Sequence, residues 1–188
     1  MKTRPIVAAL GIVAGMAAAP LVAADNLVQF DGGIGVIPVS SGVGQAAQAE
    51  VVNRNIVRGV QPAGQPWVIR VLRATVRAGG AITVDGRGLL LGGGNNIGGN
   101  PNNPNVFATL ICEAAAPFTE RNTNLAGVRL DPNGDFRIDD VLDPAPVDCA
   151  SPVLLIRNTN LVWFAAGIPK RPELPEPPSG PQILFPIR

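Results

Sequence analysis

Ala81-Ile82-Thr83-Val84-Asp85-Gly86-Arg87-Gly88-Leu89-Leu90-Leu91 carries the strongest strand signal in the chain. Ile82, Val84, Gly86, Gly88 and Leu90 fall on one side of a two-residue period, and Thr83, Asp85 and Arg87 on the other. That alternation predicts a strand with one buried and one polar face. Just before it, Ala78-Gly79-Gly80 provides glycines that accept positive φ, so Trp67–Arg77 is expected to run back along it as a hairpin partner. The partner carries two signals. Arg70, Arg73 and Arg77 have helical spacing between Pro66 and Gly79, whereas Val68, Ile69, Val71, Thr75 and Val76 are β-branched. The β-branched content selects strand over helix.

Outward from this hairpin, short runs rich in Val, Ile and Leu recur between Gly, Pro and Asn clusters, at 27–30, 35–39, 50–60, 105–113, 125–130, 136–141, 153–157 and 161–165. In Leu130-Asp131-Pro132-Asn133-Gly134-Asp135-Phe136, proline presets φ and Asn-Gly accepts the left-handed region. The runs on either side are therefore expected to fold back on each other. Many short strands with regular turn signals predict an all-β chain, an antiparallel β-sandwich of immunoglobulin-like or jelly-roll-like form over 25–168. Residues 169–188 hold seven prolines and predict an extended Pro-rich tail, ending in the apolar Ile183-Leu184-Phe185-Pro186-Ile187. Gly92 to Pro104 is a Gly/Asn-rich loop, read as conformational freedom more than binding.

At the other end, Lys2 and Arg4 precede an apolar run from Ile6 to Ala19. Pro20 then breaks it, and Val22-Ala23-Ala24 places small residues before Asp25. This has the form of a signal peptide over 1–24, and predicts a secreted, periplasmic or cell-surface protein with no membrane span once the signal is removed. Loss of Lys2 and Arg4 changes the formal net charge from +1 to −1, which gives no reason to expect nucleic-acid binding. Arg54, Arg58, Arg70, Arg73, Arg77 and Arg87 crowd one segment, and Asp131, Asp135, Asp139, Asp140, Asp143 and Asp148 another. Such a division fits cross-strand ion pairs within one sheet, or a bipolar surface for contact between subunits. Cys112 and Cys149 are the only cysteines, and in an exported chain they are expected to form a disulfide. Closing a loop of about 38 residues stabilises by about 4 kcal/mol in the chain-entropy model.

The absence of histidine removes Ser-His-Asp triads, Cys-His dyads and His-zinc sites. None of Ser40, Ser41, Ser151 and Ser179 sits in a G-x-S-x-G elbow. Asp131, Asn133, Asp135, Asp139 and Asp140 form the one candidate metal set. Alternate oxygens at 131, 133 and 135 match the start of a calcium loop, but Phe136 stands where such a loop needs glycine and Leu142 where it needs glutamate. Arg121-Asn122-Thr123-Asn124-Leu125 recurs as Arg157-Asn158-Thr159-Asn160-Leu161, read as two Asn-rich turns rather than a duplicated unit. The expectation is a structural or surface-interaction β-domain without catalytic activity or cofactor, working through a protein partner or by self-association. The alternatives are a calcium-dependent carbohydrate- or protein-binding domain, or a carboxylate-based hydrolase.

Overall fold

The computed structural model describes residues 26–43 and 51–170. The predicted signal segment with Asp25, residues 44–50 and residues 171–188 of the expected tail lie outside the described residues. The described chain consists of strands: β1 (Asn26–Gly35), β2 (Val39–Val43), β3 (Val51–Arg54), β4 (Trp67–Val68), β5 (Val71–Arg77), β6 (Ala81–Arg87), β7 (Leu90–Leu91), β8 (Asn105–Ile111), β9 (Arg121–Asn122), β10 (Val128–Arg129), β11 (Phe136–Val141), β12 (Val153–Asn158) and β13 (Trp163–Pro169). No helix occurs among the described residues. The all-β antiparallel class therefore follows the sequence reading.

The main sheet runs β10-β8-β12-β13-β1-β5-β6-β11, with β9 also paired to β8, and every pairing is antiparallel. Its two ends meet. Asn122 of β9 and Asp143, just past β11, exchange N–H···O bonds of 2.9 Å each. The sheet thus nearly closes on itself around one core, and the layers of the expected sandwich are parts of one curled sheet. Two small ribbons, β2-β3 and β4-β7, stand beside it. The core includes Phe30, Leu72, Ile82, Val84, Leu110, Leu155 and Ile156, all at most 2% exposed. Trp67 stacks on Phe164 with centroids 4.1 Å apart.

The hairpin at Ala78-Gly79-Gly80 forms as expected, with Thr75 opposite Thr83 and Arg73 opposite Asp85. Its first strand breaks after Val68 into β4 and β5, and contains no helix. The Asp131–Asp135 turn also forms, with Gly134 at φ 80° and bonds from Gly134 N–H to Asp131 O (2.8 Å) and Asp131 N–H to Asp135 O (2.9 Å). The strands it joins do not pair with each other, however. β10 lies on β8 and β11 on β6, so the turn crosses the seam between the ends of the sheet. Gly127, at φ 65°, permits this arrangement. A Cβ there would stand 2.5 Å from Val106 O, so only glycine lets this segment lie close enough to β8 for Val128 and Arg129 to pair with it. The strand expected over 50–60 shortens to β3. The last strand runs on to Pro169, whose missing N–H is tolerated at a strand end, and Lys170 N–H donates to Gln29 O at 2.8 Å.

Cys112 and Cys149 are joined by a disulfide with a Cα–Cα separation of 4.4 Å. It staples the end of the β8–β12 pair, where Val153 lies opposite Ile111. Arg58 reinforces this end: its guanidinium donates to Ile111 O (3.0 Å), Ser151 O (2.6 Å) and Ser151 Oγ (2.6 Å).

Candidate binding surfaces

An apolar concavity follows from a change of phase beyond Gly88. Gly88 adopts φ 66° and ends β6, and the side-chain alternation slips by one beyond it. Leu89 and Leu91 become the buried pair, at 0% and 2% exposed. Leu90, expected to face inward, instead points toward the surface beside Val68, its cross-strand partner in the β4–β7 ribbon. Val68 is 52% exposed. With Ile69 these side chains floor a groove of about 680 Å³, walled by Gly88 and Gly98 and edged by the polar Arg70 and Asn133.

The walls are held by main-chain bonds. Asp135 Oδ1 accepts from Gly88 N–H (2.9 Å), Gly134 O accepts from Leu89 N–H (2.9 Å), and Gly98 N–H donates to Leu91 O (2.8 Å). The Gly/Asn loop is therefore not simply free. It is a chain of turns, with Ile97 N–H on Gly94 O and Gly99 N–H on Asn96 O, and it is tied to the seam turn by Asn100 Nδ2 on Asp131 O at 2.6 Å. Ile97, next to the groove wall in sequence, is 68% exposed.

The second surface is the polar face of β1, β5, β6 and β11. Strand register sets Asp31 opposite Arg73, Arg73 opposite Asp85 and Asp85 opposite Arg137. Four charges of alternating sign thus cross four strands in one row. The neighbouring row is Gln29, Thr75, Thr83 and Asp139. Arg73 Nε meets Asp31 Oδ1 at 3.2 Å and Arg87 Nε meets Asp85 Oδ1 at 3.1 Å. Arg87 holds the Asp85 carboxyl below the usual carboxylate range, mainly through this hydrogen bond. A shallow groove of about 260 Å³ lies over the face. Of the pairs on this face, Arg73–Asp31 crosses strands, while Arg87–Asp85 and Arg137–Asp139 each lie within one strand, and none of them joins the arginine-rich cluster to the aspartate-rich one.

The five calcium-candidate residues divide between separate environments. Asp135 uses Oδ1 on Gly88 N–H and Oδ2 on Asn133 Nδ2 (3.0 Å). Asp140 accepts from Asn124 N–H and Val141 N–H, at 2.8 Å each. Asp139 lies 3.9 Å from Arg137, and Asp131 closes the turn through its main chain. Among the described residues no group of three or more His, Cys, Asp or Glu side chains is placed to hold a metal. With the Asp135 and Asp140 oxygens engaged internally, calcium at millimolar concentration is expected to leave the melting temperature unchanged. A rise that saturates with calcium would restore the calcium-loop reading.

Both arginines of the repeated pentapeptide make ion pairs with glutamate. Arg157, 3% exposed, reaches Glu120 at 2.5 Å, Thr109 Oγ1 at 3.3 Å and Leu161 O at 2.8 Å. Arg121 Nη2 donates to Glu113 Oε1 at 2.8 Å. The turns themselves differ: Asn124 Oδ1 accepts from Ala126 N–H, whereas in the second copy it is Asn158, not Asn160, that accepts, from Asn160 N–H. The two copies thus form turns closed by different asparagines.

Glu113 is pulled from its ordinary 4.5 down to about 2, chiefly by the Arg121 hydrogen bond. A depressed carboxyl stabilises the fold above its unfolded pKa and loses that contribution as pH falls through the folded one. Wild type is therefore expected to exceed Glu113→Gln in stability by a constant margin above about pH 4.5, shrinking to nothing near pH 2. Denaturant midpoints of the two proteins across that range check it, and a margin independent of pH would contradict the pairing.

Comparison of the chain with protein-family models, with curated proteins and with solved structures finds no match.

Proposed function

We propose that the protein is an exported structural β-domain that works by binding at its surface rather than by catalysis. The observation that carries this reading is the groove over Val68, Ile69 and Leu90. It joins the exposed Val68 to the half-buried Ile69 and Leu90 in one concavity, edged by the polar Arg70 and Asn133. Export is supported by the predicted signal segment and the Cys112–Cys149 disulfide. The reading without catalysis is supported by a sequence that has no histidine and no serine in a G-x-S-x-G elbow.

The partner proposed for the groove is an extended apolar peptide segment. An apolar floor contributes affinity by area, and Arg70 and Asn133 offer donors to a peptide main chain at the edge. The chain itself contains such a sequence, Ile183-Leu184-Phe185-Pro186-Ile187, outside the described residues. The test is fluorescence anisotropy of a labelled peptide spanning 181–188, titrated with protein lacking those residues. Saturable binding that Val68→Asp weakens by about tenfold or more is expected, since one buried aliphatic side chain is worth about 1.5–3 kcal/mol. Binding that Val68→Asp leaves unchanged, or no binding, overturns the reading.

A further inference from the structure

We infer that the polar face of β1, β5, β6 and β11 is a docking surface for a second copy of this chain, related by a two-fold axis parallel to the strands. The surface is distinct from the apolar groove, so the two readings stand or fall separately.

The inference rests on the order of charges. Across the four strands the row reads Asp31 (negative), Arg73 (positive), Asp85 (negative), Arg137 (positive). All four belong to the face that stays outside the core: Asp31, Arg73 and Arg137 are exposed and Asp85 is half-buried. Consider two such faces stacked with the axis midway between β5 and β6. The two-fold reverses the row, so each position meets the opposite sign. Arg73 faces the partner's Asp85, Asp31 faces the partner's Arg137, and both contacts occur twice, as an isologous interface requires.

The next row obeys the same operation. Thr75 meets the partner's Thr83, hydroxyl to hydroxyl, and Gln29 meets the partner's Asp139, an amide donor to a carboxylate. An axis at right angles to the strands and lying along the charged row would instead set like charge on like charge. The alternation therefore favours the axis parallel to the strands over one along the charged row. Strands spaced about 4.8 Å apart make the row only about 14 Å wide. The area is below that of a permanent interface, so the dimer is weak, reversible and dependent on ionic strength.

Sedimentation equilibrium tests this. Wild type is expected to dimerise reversibly at about 0.05 M salt, with the dissociation constant about tenfold weaker or more at about 1 M, where the screening length falls to about 3 Å. Arg73→Asp and Asp85→Arg place like charges opposite each other in their homodimers, so each is expected to be monomeric. Their equimolar mixture restores both contacts, Asp on Arg and Arg on Asp, and is expected to form a heterodimer. The inference is overturned if wild type stays monomeric at millimolar concentration and low salt, if either variant dimerises as wild type does, or if the mixture stays monomeric. The wild-type salt response decides independently of how either variant folds.

Discussion

Gly134→Val is expected to cost about 4 kcal/mol, a large share of the roughly 5–15 kcal/mol that holds a typical domain together. Two effects add. Gly134 sits at φ 80°, where a β-branched residue is strained by about 1–2 kcal/mol. A Cβ there would also lie 2.5 Å from Leu89 O and 2.6 Å from Leu89 N. Those neighbours are main chain, and they cannot rotate away as a side chain would, so the turn or the 88–89 segment must move. Such overpacking costs about 1–3 kcal/mol or more. Gly79→Ala is the matched control. Gly79 has φ 85° but nothing within 4 Å of the Cβ position, so only the conformational cost of about 1 kcal/mol applies. Denaturant midpoints that fall equally for both variants would show that the turn does not pack across the seam.

The second large effect is removal of the Cys112–Cys149 bridge. The double variant Cys112→Ala/Cys149→Ala is expected to lose about 4 kcal/mol, because the unfolded chain regains the freedom of a long loop. The native end of the β8–β12 pair keeps its hydrogen bonds and the Arg58 clamp, so the variant should still fold at low temperature. Thiol labelling of unfolded, unreduced wild type is expected to find no reactive cysteine. Two labelled thiols per chain, or a double variant as stable as wild type, would contradict the account.

The residues that were legible in the sequence share one property: their structure is decided locally. The Ala78-Gly79-Gly80 turn fixes the register of β5 and β6, so the facing of Arg73 and Asp85 follows by counting outward from it. The Asn-Gly turn and the cysteine pair were likewise decided by residue type. The groove was not legible, because it depends on Gly88 reversing the phase of the alternation, and in Leu89-Leu90-Leu91 every residue is apolar, so the pattern does not say which leucine turns outward. In a strand pattern such a glycine reads simply as one more small inward residue. The seam was hidden for a related reason. A turn states that the chain reverses, but not which neighbours the two arms choose, and that choice depends on Gly127 fitting against Val106. The extension of the charge row to Asp31 and Arg137 needs the pairing of β1 with β5 and β11 with β6, contacts far apart in sequence.

Binding of an extended apolar segment in the groove over Val68, Ile69 and Leu90 is the proposal on which the function rests. The most direct measurement is an NMR titration of isotope-labelled protein lacking residues 181–188 with the unlabelled peptide of that sequence. The account predicts saturable shifts at the methyl groups of Val68, Ile69 and Leu90 and at the amides of Gly88 and Gly98, with the resonances of Thr75, Thr83 and Asp85 unmoved. No shifts at the groove, or shifts confined to the charged face around Arg73 and Asp85, would contradict it.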